Sequence, residues 1–296
     1  MRVFVTGASG WIGSAAITDL VAAGHEVVGL ARSDEAAATV SSLGAEVYRG
    51  TLEDLDGLRA AAKESDGVVH LGYIHDFSRM DDAAATDRLV IETLGDVLAG
   101  TDRPLVVASG VMGLGIGRVV TERDATDVSS HPRSANAVAA LALASRGVRS
   151  SVVRFAPTVH GAGDHGFAAR LVAIARERGV SGYIDEGANH WPAVHRLDAG
   201  KLVSLALDSA PAGAVLHGIA EEGVPTRAIA EAIGRGLGLP VISVPWAEAV
   251  EHFDWLARFF ALDCRASNDL TRELLGWHPT HAGLIEDLDR GAYFQS

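Results

Sequence analysis

The sequence predicts an α/β protein built on a doubly wound parallel sheet, with a small mixed α/β cap in its C-terminal part. Three observations carry this. Short β-branched runs end in glycine, helix-patterned segments lie between them, and the alternation loosens after residue 157.

In chain order, "RVFVT" (2–6) reads as a strand leading into a helix from about Trp11 to Ala23. "HEVVGLA" (25–31), "AEVYRG" (45–50) and "DGVVHLG" (66–72) are three more strands, the first two followed by helices from about Asp34 and Glu53. A longer helix is expected around 79–99, then the strand "RPLVVASG" (103–110), the helix "RSANAVAALALASRG" and the strand "VRSSVVRFAP" (148–157). Runs this apolar suit strands covered on both faces, and the connections are as short as repeated βαβ units require. Past them, "HGAGDHG" and "DEGANHWPAVHR" read as loops, followed by a helix from Asp198 and a strand "GAVLHGIA" (213–220). A helix at 226–238, a strand "PVISV" and helices near 246–262, 269–275 and 283–290 complete the chain.

The 296 residues carry a net charge of −13 spread along the chain, with no basic stripe to neutralise phosphates, which argues against a nucleic-acid binder. The one cysteine, Cys264, can form no internal disulfide, which favours a reducing compartment. No apolar run approaches ~18 residues, and a strand starting at Arg2 leaves no room for a signal peptide. A cytoplasmic protein with a small-molecule substrate, and no membrane or nucleic-acid partner, is expected.

"VTGASGWIG" sets Gly7, Gly10 and Gly13 between the first strand and the first helix. The first glycine permits the tight turn, the second lets backbone approach a pyrophosphate, and the third lets helix pack on strand. The phosphates then meet free amides at the positive end of the helix dipole. This predicts a Rossmann-type dinucleotide site, with residues 1–157 as the binding domain. Residues 158–296 are mainly a substrate cap, from which a segment at about 194–220 returns to the core.

The Gly-x-x-Gly-x-x-Gly spacing, "DGVVHLG", "VVASG", "RFAPTVHG" (154–161), "VHRLDAGKL" (194–202) and "VPTRAIAEAIGRGLG" together carry a family resemblance. The chain resembles the extended or atypical short-chain dehydrogenase/reductases, a group of NAD(P)-dependent epimerase/dehydratase-like proteins that includes many ketone reductases. The resemblance implies cofactor contacts from Gly7, Ser9, Gly10, Trp11, Ile12 and Gly13, and from Thr51 and Leu52 after the third strand. It implies others from Leu71 and Gly72, from Ala108, and from Phe155 and Pro157 beside the nicotinamide. An acidic residue at the end of the second strand would bind the ribose 2′-hydroxyl. Arg32 and Ser33 stand there instead and suit a 2′-phosphate, so NADP(H) is expected over NAD(H). The family's adenine-contacting aspartate is Thr51 here, and Asp54 and Asp66 read as surface and turn residues.

The family's tyrosine and lysine, four residues apart on one helix face, fall at Arg133 and Ala137. The only lysines are Lys63 and Lys201, and Tyr48, Tyr73, Tyr183 and Tyr293 form no such pair with them. The usual proton relay is absent. Ser109 matches the family's serine region and would bond a carbonyl oxygen, unless it only turns the chain. Arg133 would stabilise an oxyanion, unless it faces solvent in a first helical turn. Tyr73 or His75 would supply the proton, or wall the pocket.

His160, Asp164, His165, His190 and His195 cluster in sequence but match no established zinc spacing, so no metal is expected. Trp191 offers a flat apolar face to a substrate, with His190 and Arg196 as polar orienters and His75 and His160 nearby. His195 and Asp198 read as a helix start capped by Asp198.

The expectation is an NADP(H)-dependent reductase of a small carbonyl, imine or activated alkene. A non-catalytic NADP(H) sensor or partner-binding protein is the alternative. A nucleotide-sugar epimerase or dehydratase ranks last, because it abstracts protons repeatedly. The helices near 79–99 and 133–146 resemble those the family uses to dimerise, which leaves a homodimer open.

Overall fold

The computed structural model describes residues 1–74, 79–112, 114–115, 117–128 and 133–295. The first half alternates Arg2–Thr6 (β1), Trp11–Ala22 (α1), Glu26–Ala31 (β2), Asp34–Ser42 (α2), Glu46–Arg49 (β3), Leu55–Lys63 (α3) and Gly67–His70 (β4). It continues through Met80–Leu98 (α4), Pro104–Gly110 (β5), Val119–Val120 (β6), Ser134–Ala142 (α5) and Arg149–Phe155 (β7). Then come Thr158–His160 (β8), Phe167–Arg178 (α6), Ser181–Ile184 (β9), His190–His195 (β10), Arg196–Ser209 (α7), Ala214–Gly218 (β11) and Glu221–Pro225 (β12). Thr226–Leu237 (α8), Val241–Val244 (β13), Trp246–Phe253 (α9), Ala257–Phe260 (α10), Arg265–Ala266 (β14), Asp269–Leu275 (α11) and Leu284–Asp289 (α12) follow.

Seven parallel strands form the main sheet in the order β11-β7-β5-β4-β1-β2-β3. Strand order therefore reverses between β1 and β4, and the crevice beyond their carboxyl ends is where such sheets bind ligands. Alternation along a strand assigns the two faces. Val3 and Val5 pack with Ile17, Leu20, Leu202 and Val203 of α1 and α7, while Phe4 between them packs with Leu58, Ile91 and Leu94 of α3 and α4. Both layers are sealed, as the glycine-bounded apolar runs require.

A second core gathers α6, α8, α9, α10 and α12 around Trp191, Phe253 and Phe260, beside the short sheets β12-β10-β8 and β13-β9. The sequence reading differs from the structure mainly here. "HWPAVH", expected as loop, is β10, paired parallel with β8 and antiparallel with β12. Pro192 has no N–H to give to a ladder, and the register shifts across it. The helix expected over 246–262 is broken at Asp254, whose φ of +54° leaves the helical region. Among the described residues, no helix is long and apolar enough to cross a membrane.

Candidate functional site

The glycine loop is built for close approach. Gly7 has φ +68°, and a Cβ there would lie 2.6 Å from Gly72 N and 2.8 Å from Leu71 O. A Cβ on Gly13 would sit 2.0 Å from Gly7 O. The loop and the end of β4 are thus pressed together at the crevice. Gly10 caps α1 with no side-chain hydrogen bond and no acid follows in the first turn, so the helix presents bare amides to an anion. Ser9 and Ile12 are half-buried beside them. The loop's fit to a dinucleotide pyrophosphate rests on this glycine-only cradle.

Trp11 turns its ring away from the loop: its Nε1 donates to Val159 O at 2.6 Å. Arg196, expected to orient a substrate, lies with its Cζ 4.1 Å from that ring's centroid and donates to Ser14 Oγ at 2.8 Å. It flanks the start of α1. At the rim, Thr51 is exposed and Leu52 packs toward Gly72. Asp54 caps α3 through Gly57 N, and Asp66 accepts from Arg2 N. Phe155 sends its ring against Gly218 in the core and its carbonyl to Val111 N, so only its backbone faces the strand end, followed by half-buried Pro157.

The three expected catalytic side chains lie at neighbouring strand ends. Tyr73 follows β4, Ser109 is near the end of β5, and Arg133 precedes α5. Arg133 Nη2 donates to Ala108 O at 3.0 Å, and its Cζ stands 4.0 Å above the centre of the Tyr73 ring. The guanidinium side chain is 21% exposed, which corrects its alternative reading as a solvent-facing arginine. Burial pushes the Tyr73 phenol above its ordinary value of 10.0, while Arg133 draws it back and Asp87 raises it. His75 lies outside the described residues.

Behind Arg133 is a buried polar network that sequence reasoning missed. Thr6 Oγ1 is 2.6 Å from His70 Nδ1, His70 Nε2 is 3.1 Å from Asp87 Oδ1, and Asn136 Nδ2 donates to Asp87 Oδ2 at 2.7 Å. A signal for it existed. Ala83, Ala84, Val90, Ile91 and Leu94 form the buried stripe of α4, and Asp87 falls in phase with them. Asn136 likewise shares the buried face of α5 with Ala137 and Ala140.

The residues expected to enclose a substrate are engaged elsewhere. Trp191 is 0% exposed, inside the cap core against Phe167 and Phe260, with Nε1 donating to Phe259 O. It offers no face to a ligand, because the aromatic cluster of the cap covers it. His160 is also fully buried, 3.0 Å from Asp287 Oδ2. His190 pairs with Asp263 at 3.1 Å. His195, not Asp198, caps α7, its Nδ1 accepting from Leu197 N. Asp198 instead accepts from Thr280 N and His281 N, fastening the segment before α12. Among the described residues no group of three or more His, Cys, Asp or Glu side chains is arranged to hold a metal ion.

Comparison with known proteins places these features. Residues 3–216 match the model of the NAD dependent epimerase/dehydratase family. An uncharacterized protein of Schizosaccharomyces pombe is 49% identical over 295 residues, covering 99% of this chain and all of that one. Among solved structures, a dTDP-glucose 4,6-dehydratase from Streptomyces venezuelae with NAD bound superposes with a TM-score of 0.75 at 19% identity. The match covers 99% of this chain and 96% of that one. A UDP-glucose-4-epimerase from Stenotrophomonas maltophila, with bound NAD and formylated UDP-arabinopyranose, gives 0.75 at 19% identity, covering 99% and 97%.

These findings overturn two expectations. The NADP preference drawn from Arg32 and Ser33 is corrected, because the family whose model the chain matches is NAD dependent by its description. The physical reason is local: the Ser33 hydroxyl is used as the N-cap of α2, accepting from Ala36 N, and the carboxylates of Asp34 and Glu35 follow at once. A second phosphate would meet an acidic turn. The NADP-dependent reductase of small carbonyls, imines or alkenes, and its sensor alternative, likewise give way to the epimerase/dehydratase assignment that had ranked last. With the glycine cradle, the strand reversal and a family match over most of its length, the chain belongs to the NAD dependent epimerase/dehydratase family.

Proposed function

We propose that this protein is an NAD(H)-dependent oxidoreductase of the epimerase/dehydratase type, acting on a sugar carbon of a nucleotide-sugar-like substrate. The observation that carries the reading is the Arg133 guanidinium standing 4.0 Å over the Tyr73 ring at the carboxyl end of the sheet. Bound NAD would supply hydride acceptance and return. Gly7, Gly10 and Gly13 would admit its pyrophosphate to the start of α1, with Arg196 as a nearby cation. Residues 1–157 serve as the cofactor-binding part in this reading, and 158–296 mainly as the cap.

Tyr73 handles the proton. Its raised phenol is protonated near neutral pH and donates to the substrate oxygen as a ketone becomes an alcohol; the reverse step returns that proton to the phenolate. Arg133 stabilises both negative oxygens, the phenolate and the substrate oxyanion, as a positioned cation. Ser109, whose hydroxyl has no hydrogen-bond partner among the described residues, donates to the same substrate oxygen. The arrangement replaces a lysine one helical turn on with an arginine in the tyrosine's place.

The test is single-turnover absorbance of NADH formed or consumed with dTDP-glucose, UDP-glucose and their 4-keto forms. Tyr73→Phe should slow the reaction about 10²–10⁴-fold, the usual contribution of a positioned acid. Wild-type rates in both Tyr73→Phe and Arg133→Ala would remove this reading. A homodimer through α4 and α5 fits the exposed Leu89 and Val138 on those helices. Light scattering should show a dimer that Leu89→Glu dissociates, and a wild-type monomer would exclude it.

A further inference from the structure

Asp87 is a carboxylate in an apolar setting. It lies midway along α4, 2% exposed, among Ala84, Val90 and Ile91. An ionised carboxylate there is costly unless its oxygens are paired. Oδ1 takes His70 Nε2 at 3.1 Å, and Oδ2 takes Asn136 Nδ2 at 2.7 Å and lies 3.7 Å from Arg133 Nε. Burial works against ionisation, yet His70, Arg133 and Asn136 together hold the carboxyl below its ordinary range.

The partners of Asp87 are themselves fixed. Asn136 spends its amide on Ala84 O at 2.8 Å as well as on Asp87. His70 is 0% exposed, and Thr6 Oγ1 at its Nδ1 also accepts from Gly72 N at 3.2 Å. Thr6 Oγ1 and Asp87 Oδ1 thus engage the two ring nitrogens of His70, one on each side. The network therefore runs from the end of β1 through β4 and α4 to α5. It reaches the open site at one point, the Arg133 guanidinium.

We propose that Asp87 is a positioning residue: its buried carboxylate, itself fixed by His70, holds the Arg133 guanidinium over the Tyr73 ring. An arginine has several rotatable bonds and would sample many positions at a strand end. A carboxylate behind its Nε and a carbonyl, Ala108 O, at its Nη2 restrict the planar fork to one placement. The functional meaning of that placement rests on the reading of Tyr73 and Arg133 given above, but the placement itself can be measured without substrate.

The experiment is ¹H–¹⁵N NMR of the arginine side chains in the full chain, with the Arg133 Nε–H signal assigned by its absence in Arg133→Lys. In the wild type this signal should be shifted by the Tyr73 ring and exchange slowly with solvent. Asp87→Asn removes the ion pair at 3.7 Å and should remove the ring shift and speed exchange about tenfold, the ratio that ~1.4 kcal/mol of lost attraction gives. Asn136→Ala removes a different partner of Asp87 and should leave the ring shift in place. If Asp87→Asn does not fold, Asp87→Glu keeps the charge but moves it by one methylene and should also displace the signal. An unmoved, slowly exchanging Arg133 signal in the Asp87 variant that folds overturns the proposal. On turnover, Asp87→Asn should lower kcat with NADH affinity unchanged. If the NMR result holds while Tyr73→Phe leaves turnover intact, the catalytic reading fails and the positioning stands.

Discussion

Two chains of aspartate and histidine run through this molecule and behave oppositely. One links Asp87 to His70 and Thr6 between β4, α4 and α5; the other links Asp287 to His160 and Asp198 to His281, with His195 between the two imidazoles, where β8 and β10 meet α7 and α12. In the first, a carboxylate is held ionised by one imidazole, the Asn136 amide and the nearby Arg133 guanidinium. In the second, imidazoles lie against one another: His160 and His195 edge to face at 5.4 Å, His195 and His281 stacked at 4.8 Å. His160 and His281 both oppose protonation of His195 between them. Burial, then His160 and His281, push His195 below its ordinary value of 6.5, against the smaller pull of Asp287 and Asp198. The difference teaches that the same side chains make a charge-holding bracket when a carboxylate leads, and a neutral joint when imidazoles do.

The largest effect should come from breaking the bracket. Asp87→Ala leaves Arg133 without its buried counter-charge and should cost about 3–5 kcal/mol in denaturant unfolding. Asp287→Ala removes one hydrogen-bond partner from His160 and should cost less, about 1–3 kcal/mol. Equal losses would erase the distinction. Next comes pH. The depressed His195 binds fewer protons folded than unfolded, so its contribution is complete above pH 6.5 and declines as pH falls through that value toward the folded one. The urea midpoint should drop between pH 7.5 and 5.5, and His195→Gln should flatten that drop; an unaltered pH slope in the variant would contradict the neutral joint. The smallest effect belongs to the rim of the crevice. Arg32→Ala should leave NADH affinity unchanged, since the NAD ribose carries no second phosphate, and a clear weakening would reopen the role of that arginine.

The glycine turn between β1 and α1 was legible in the sequence, while the cofactor preference drawn from Arg32 and Ser33 was misread. Gly7 has a φ of +68° with backbone 2.6 Å from a missing Cβ, and a Cβ on Gly13 would sit 2.0 Å from Gly7 O, so side chains are excluded at both. Arg133 could be placed at the tyrosine's position but not over Tyr73, since the two are joined by no local pattern. The cap was read poorly. Trp191 looked like a pocket wall because its sequence neighbours are polar and glycine-rich, while its spatial neighbours, Phe167 and Phe260, are far along the chain.

Sequence alone determined the alternating strands and helices of the first half, the parallel sheet and the absence of the usual tyrosine-lysine pair. These follow from periodicity and from glycine's conformational freedom, which act over a few residues. Tertiary structure alone decided that Arg133 lies over Tyr73 and that Asp87 lies behind it. Asp87 meets Asn136 across 49 positions and His160 meets Asp287 across 127, and contacts of that span are set by how layers pack. A buried polar residue in phase with an apolar stripe signals that a partner is needed; only the fold says which one arrives.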